Sequence, residues 1–220
     1  MKLVFYSGGQ RDENQNIDIE LFHLIESTDP LFTFIPACYD DSNVYYSEFI
    51  QHFSFYGVRK FNIFPIDTPF DYVTALKVLE SDVIYLGGGN TFYFLKNLKR
   101  SGFLHLLKEY VAAGGVLAGM SAGAIIMTNN ISTASFPVFD ADDNEVALTN
   151  LKAMSLVSFE FYPHFTNTRR YIHELNLESY KRNHPIYACG DGSGIVVNDN
   201  KIMMIGDVWS FFRGKKYKLT

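Results

Sequence analysis

A serine framed by small residues, Gly119-Met120-Ser121-Ala122-Gly123, stands between the apolar run "VLAGM" and the helix-like run "SAGAIIMTN". G-x-S-x-G at a strand-to-helix junction is the signature of a nucleophile elbow. Such a turn is tight enough to require small neighbours, which accounts for Gly119, Ala122 and Gly123. It leaves the serine hydroxyl exposed at the carboxyl end of the strand. The first amides of the helix then face the point where an oxyanion would develop. The competing reading is a small residue in a tight turn. A Walker A loop is excluded, because Met120 occupies the position of the phosphate-binding lysine and "GVLA" reads as strand.

A second run, "LGGGNT" over residues 86–91, also follows an apolar strand. It fails G-x-G-x-x-G because Phe92 stands at the last glycine position. Its glycines let backbone amides approach a ligand closely, so Gly88 or Gly89 can supply an oxyanion donor beside the amide of Ala122. Asn90 or Thr91 can cap the next helix at the same time. A serine hydroxyl needs a base. Of the six histidines, His23, His52, His105, His173 and His184 read mostly as surface residues in helical or charged surroundings. His164 differs. It follows an apolar run and Pro163, at the carboxyl end of a strand, the edge where open α/β sheets place their sites.

These residues need a scaffold, and the alternation of patterns supplies one. "KLVFYS", "LFTFIPA", "KFNIFPI", "DVIYLGGGN" and "VLAGM" read as strands separated by helical stretches. Asp40, Asp41 and Ser42 offer caps for the second helix, and Thr68-Pro69 marks the start of the third. Residues 91–115 read as two helices broken at Gly102. "MSLVSFEFYPHF" reads as a strand, "RRYIHELNLESYKR" as a helix, and the tail as strands with a hairpin at "NDN". The expectation is a three-layer α/β fold, a mostly parallel sheet flanked by helices, forming one domain over residues 1–220.

Composition narrows the function classes. The chain has 220 residues, 47% of them apolar, and a net charge of −5. No basic run supports nucleic-acid binding, and no apolar stretch is long enough to span a membrane. The two cysteines, Cys38 and Cys189, form no CxxC and fit a reducing compartment. The N-terminus does not read as a signal peptide. A cytoplasmic protein without nucleic-acid or membrane partners is expected.

Taken together, "YLGGGNTFYFLKNLKRSG", "GGVLAGMSAGAI", "FYPHFTN" and "DGSGIVV" resemble the S51 peptidase family, which includes dipeptidase E and cyanophycinase. The likeness implies a fold related to class I glutamine amidotransferases, no metal and no cofactor. It implies a short peptide substrate, and it leaves monomer or homodimer open. It makes Ser121 the nucleophile, His164 the base, and the amides of Gly89 (or Gly88) and Ala122 the oxyanion hole. Asn90 would lie at the mouth of the site. Dipeptidase E cleaves after an N-terminal aspartate, for which Arg169 and above all Arg170 are the candidate partners. The sequence departs from the family where the acidic triad member is expected. "TASFP" places Ser135 there, so Asp191, Glu160 and Asp140 become the alternative acids. That departure also admits a small-molecule ester or amide hydrolase, or a non-catalytic binding homologue, as rival functions.

Overall fold

The computed structural model of the chain describes residues 1–38, 40 and 42–220; two of the expected caps, Asp41 and the Ser42 side chain, lie outside the described residues. The strands are β1 (Lys2–Tyr6), β2 (Leu31–Ile35), β3 (Lys60–Ile63), β4 (Val83–Leu86), β5 (Val116–Met120), β6 (Glu160–Tyr162), β7 (Ile186–Cys189), β8 (Gly194–Asn198), β9 (Lys201–Ile205), β10 (Val208–Phe212) and β11 (Lys215–Lys218). The helices are α1 (Arg11–His23), α2 (Ser42–Ser54), α3 (Tyr72–Val78), α4 (Thr91–Arg100), α5 (Phe103–Ala112), α6 (Ala122–Ile126) and α7 (Arg169–Tyr180).

A seven-stranded sheet runs β3-β2-β4-β5-β1-β8-β9. Its first five strands are mutually parallel, and β8 and β9 are antiparallel additions at one edge. Strand alternation explains the two cores. In β1, Leu3 and Phe5 join Leu95, Leu98 and Leu107 on the face covered by α4, α5 and α6. Val4 and Tyr6 join Ile17, Leu21, Phe49 and Phe53 beneath α1 and α2. With both faces covered, the central strands must be apolar throughout, which is how they read in the sequence. Each fully buried Leu or Phe contributes roughly 1.5–3 kcal/mol.

The break between α4 and α5 falls at Gly102, whose φ of +76° is the left-handed conformation that glycine adopts without strain. The third helix starts later than Thr68-Pro69. It begins at Tyr72, where the Asp71 carboxylate accepts the Thr74 amide at 2.8 Å and serves as the cap. The hairpin at "NDN" joins β8 to β9, with Asp199 at a φ of +51°.

The second sheet, ordered β11-β10-β7-β6, has no counterpart in the expected fold. Its strand β6 is only three residues long. Proline at 163 lacks the N–H needed to continue the ladder, and His164 turns the chain with a φ of +54°. Tyr162, Phe165, Leu175, Ile186 and Phe211 form a third apolar cluster between this sheet and α7. Five loops then gather at strand carboxyl ends. They follow β1, β4, β5, β6 and β7, and they carry Ser7, Gly87 to Gly89, Ser121, His164 and Asp191. Among the described residues, no helix is long and apolar enough to cross a membrane.

Candidate active site

Ser121 sits between the last residue of β5 and the first of α6, with φ +50° and ψ −109°. A non-glycine residue rarely holds such angles, and the surrounding contacts enforce them. The Ser121 amide donates to the Tyr6 carbonyl at 3.0 Å, and the Gly123 amide donates to the Gly87 carbonyl at 3.2 Å. The small residues are sterically required. A Cβ on Gly119 would approach the Gly123 carbonyl carbon to 2.5 Å, and one on Gly123 would collide with the Leu86 carbonyl. Ala122 opens α6, so its N–H belongs to the helix start that has no intrahelical partner.

The His164 ring lies between two side chains. Its Nε2 is 2.9 Å from Ser121 Oγ, and its Nδ1 is 2.7 Å from Asp191 Oδ1. His164 and Asp191 are about half exposed, at 47% and 51%. Ser7, at the end of β1, holds this pair from behind. Its hydroxyl accepts the His164 amide at 2.7 Å and donates to the Cys189 carbonyl at 2.8 Å. Gly8 lies against both groups, since a Cβ there would come within 2.5 Å of Asp191 Oδ1 and of His164 Cε1. Neither Ser7 nor Gly8 was singled out from the sequence. The "SGG" run closing the first strand was the available signal.

The other candidates are placed as follows. Glu160 is buried and points to Arg182, whose Nε donates to Glu160 Oε2 at 2.7 Å. Asp140 accepts from Tyr171 at 2.9 Å and from Tyr162 at 3.3 Å. Ser135 is exposed at the end of a 3-10 turn, Ser132–Ser135. Of the acids considered, Asp191 is the one joined to His164. Gly88 faces the serine, for a Cβ there would lie 3.7 Å from Ser121 Cβ. Gly89 holds a φ of +133°. The Asn90 carboxamide is committed twice, accepting the Tyr93 amide at 2.9 Å and donating to the Asp143 carbonyl at 2.8 Å. Arg170 stacks on Phe139 with its guanidinium carbon 3.3 Å from the ring centroid, and it does not line the cleft.

Ser121, His164, Gly8, Gly88 and Gly89 open onto a cleft of about 680 Å³. A smaller pocket of about 290 Å³ continues past Gly88 and Gly89 to Cys38, Tyr93, Asp143 and Glu145. The opposite wall of the main cleft comes from the first residues of α1 and from α2. That wall includes His52, which is not the free surface residue expected from its helical setting. Its Nε2 is 2.7 Å from Oδ2 of the fully buried Asp18, and Tyr6 donates to the other Asp18 oxygen at 2.9 Å. Burial, reinforced by Asp18, holds the Tyr6 hydroxyl well above the usual phenol range.

Residues 3–205 match the family model described as peptidase family S51. Lmo0363, an uncharacterized peptidase of Listeria monocytogenes, is 36% identical over 128 residues, covering 58% of this chain and 62% of that relative. YgaJ, an uncharacterized peptidase of Bacillus subtilis strain 168, is 28% identical over 207 residues, covering 90% of this chain and 85% of its own length. The crystal structure of a candidate peptidase E protein from Listeria monocytogenes EGD-e superposes with a TM-score of 0.73 at 26% identity, over 92% of this chain and 96% of that one. The match spans less than two thirds of the length of the Listeria relative Lmo0363.

Proposed function

The chain belongs to peptidase family S51, and on that footing we propose that it hydrolyses short peptides through an acyl-enzyme on Ser121. One observation carries the proposal. A single imidazole reaches Ser121 Oγ at 2.9 Å on one side and Asp191 Oδ1 at 2.7 Å on the other. That is the nucleophile, base and orienting acid of acyl transfer, recognised by geometry rather than by chain order.

The steps follow from the placement. Ser121 Oγ attacks the scissile carbonyl while its proton passes to His164 Nε2. Asp191 accepts the Nδ1 proton in a hydrogen bond, which fixes the tautomer and stabilises the imidazolium. The carbonyl oxygen becomes an oxyanion beside the amides of Ala122 and of Gly88 or Gly89. Donors already in position there lower the barrier without reorganisation. The C–N bond then breaks, and Nε2 returns the proton to the leaving amine. Water repeats the sequence on the ester: Nε2 takes its proton, the acid leaves, and Ser121 recovers its own.

The charged third member missing at Ser135 is supplied in this reading by Asp191, so the argument for a non-catalytic homologue loses its main support. The Asp-X preference of dipeptidase E is not carried into the proposal, because Arg170 is occupied by Phe139 away from the cleft. The test is turnover of a dipeptide panel by the intact protein and by Ser121→Ala. Release of amino acids by the first and not the second is expected. Equal release by both overturns the proposal.

A further inference from the structure

The cleft beside Ser121 and His164 is floored by aromatic side chains. Phe34, Phe49, Phe53, Tyr85 and Met120 all line it. Tyr85 is the unusual member. Among the described residues four tyrosines are buried, Tyr6, Tyr85, Tyr110 and Tyr162. Three of them use their hydroxyls: Tyr6 donates to Asp18, Tyr110 to the Ser81 carbonyl and Tyr162 to Asp140. The Tyr85 hydroxyl has no hydrogen-bond partner among the described residues, although the residue is only 5% exposed. Its ring is fixed by Tyr6, Phe34, Phe49 and Phe53, with centroids 5.3–6.2 Å away. Its oxygen reaches the cleft rather than being sealed in the core, so a ligand entering there can replace solvent as its hydrogen-bond partner.

The charges around it argue against an acidic ligand. Among the described residues, Arg11 is the only lysine or arginine lining the cleft. Its guanidinium is already engaged, donating to Asp12 at 3.1 Å and lying 4.3 Å above Phe55. His52 faces the same cleft, but its Nε2 is taken by the buried Asp18 carboxylate. Asp12 and Glu48 add negative charge to the wall. An aspartate side chain would therefore meet the Asp12 and Glu48 carboxylates and, among the described residues, one arginine already paired with Asp12. A lysine ammonium set among the aromatic rings would have to leave water for a single phenol oxygen, too few acceptors for its three donors.

We propose that Tyr85 and the surrounding rings form the side-chain subsite of the Ser121 cleft, and that it takes a large uncharged residue with a polar tip, tyrosine above all. This deepens the peptidase reading and rests on it. The ring of the bound residue packs on Phe34 and Phe49, and its hydroxyl pairs with that of Tyr85. Burial and the nearby Asp18 keep the Tyr85 phenol protonated, hence a donor as well as an acceptor.

The test separates binding from chemistry. Dipeptides pairing alanine with tyrosine, phenylalanine, aspartate or lysine, in both orders, are titrated into Ser121→Ala protein, and the same peptides are offered to the intact protein for hydrolysis. Tyrosine and phenylalanine peptides should bind at least about tenfold more tightly than aspartate or lysine peptides. In a Ser121→Ala/Tyr85→Phe double variant the ratio of tyrosine to phenylalanine affinity should fall about three- to tenfold, the loss of one hydrogen bond. Tightest binding of aspartate peptides, an equal loss for every peptide, or no binding of any peptide overturns the subsite. Hydrolysis that persists in Ser121→Ala overturns the nucleophile instead and leaves the binding order to stand on its own.

Discussion

Asp191 Oδ1 lies 2.7 Å from His164 Nδ1, joining residues 27 positions apart that follow two neighbouring strands of the smaller sheet. The register of β6 against β7, with Tyr162 opposite Ala188, delivers both to the same edge. Asp191→Asn keeps the shape but removes the charge and can reverse the imidazole tautomer. We expect kcat to fall by about a hundredfold to ten-thousandfold with the melting temperature nearly unchanged. Steady-state kinetics on a peptide substrate check this. A change of less than threefold would move the third member elsewhere.

Glu160 gives the opposite expectation. It is paired with Arg182 inside the protein, and the two side chains are 6% and 10% exposed. Glu160→Gln leaves a buried guanidinium with reduced compensation. Because Glu178 still pairs with Arg182 at 2.8 Å, it should cost roughly 1.5–3 kcal/mol of stability while leaving activity per folded molecule near that of the unaltered protein. Denaturant melts and active-site titration together separate the two effects. A selective loss of kcat at full stability would contradict the placement.

The contrast between these two acids shows what the sequence made legible. Ser121 announces itself locally, because the elbow dictates the size of its immediate neighbours. His164 follows from a strand end marked by Pro163. The choice among Asp191, Glu160 and Ser135 depends on which strand lies beside which, and pairing across a sheet leaves no short-range trace. The parallel sheet was legible because β1, β4 and β5 are buried on both faces and read as unbroken apolar runs. The second sheet was not, because β6 spans three residues and β11 is largely exposed and lysine-rich. Ser7 and His52 were missed for a related reason. Their partners, His164 and Asp18, are 157 and 34 residues away.

The two adjacent glycines should respond differently to alanine. A Cβ on Gly88 would lie 3.7 Å from Ser121 Cβ, an ordinary contact inside the cleft. Gly88→Ala should fold with a melting temperature within about 2 °C of the unaltered protein and lose at least about tenfold in kcat/KM. Gly89 holds a φ of +133° with a Cβ position 2.9 Å from Ala37. Gly89→Ala should lose roughly 1–3 kcal/mol of stability. Thermal melts beside kinetics distinguish them, and equal effects at both positions would contradict the assignment of Gly88 to the serine's side of the loop.

The two cysteines should divide cleanly toward a thiol reagent. Cys189 is fully buried, and burial pushes its thiol far above the usual range, so it stays protonated and unreactive through neutral and mildly alkaline pH. Cys38 is half-buried and lines the pocket continuous with Gly88 and Gly89. Iodoacetamide should modify Cys38 alone and slow turnover, and Cys38→Ser should remove that inhibition. Peptide mapping by mass spectrometry reads the site; modification of Cys189 in the folded protein would contradict its burial.

The central claim is that Ser121 is a nucleophile activated by His164, and the most direct measurement is covalent labelling with a fluorophosphonate followed by peptide mapping. The account predicts one adduct per chain, on Ser121, absent in Ser121→Ala and strongly slowed in His164→Ala. An unlabelled Ser121 in folded protein, or an adduct on another residue, would contradict it.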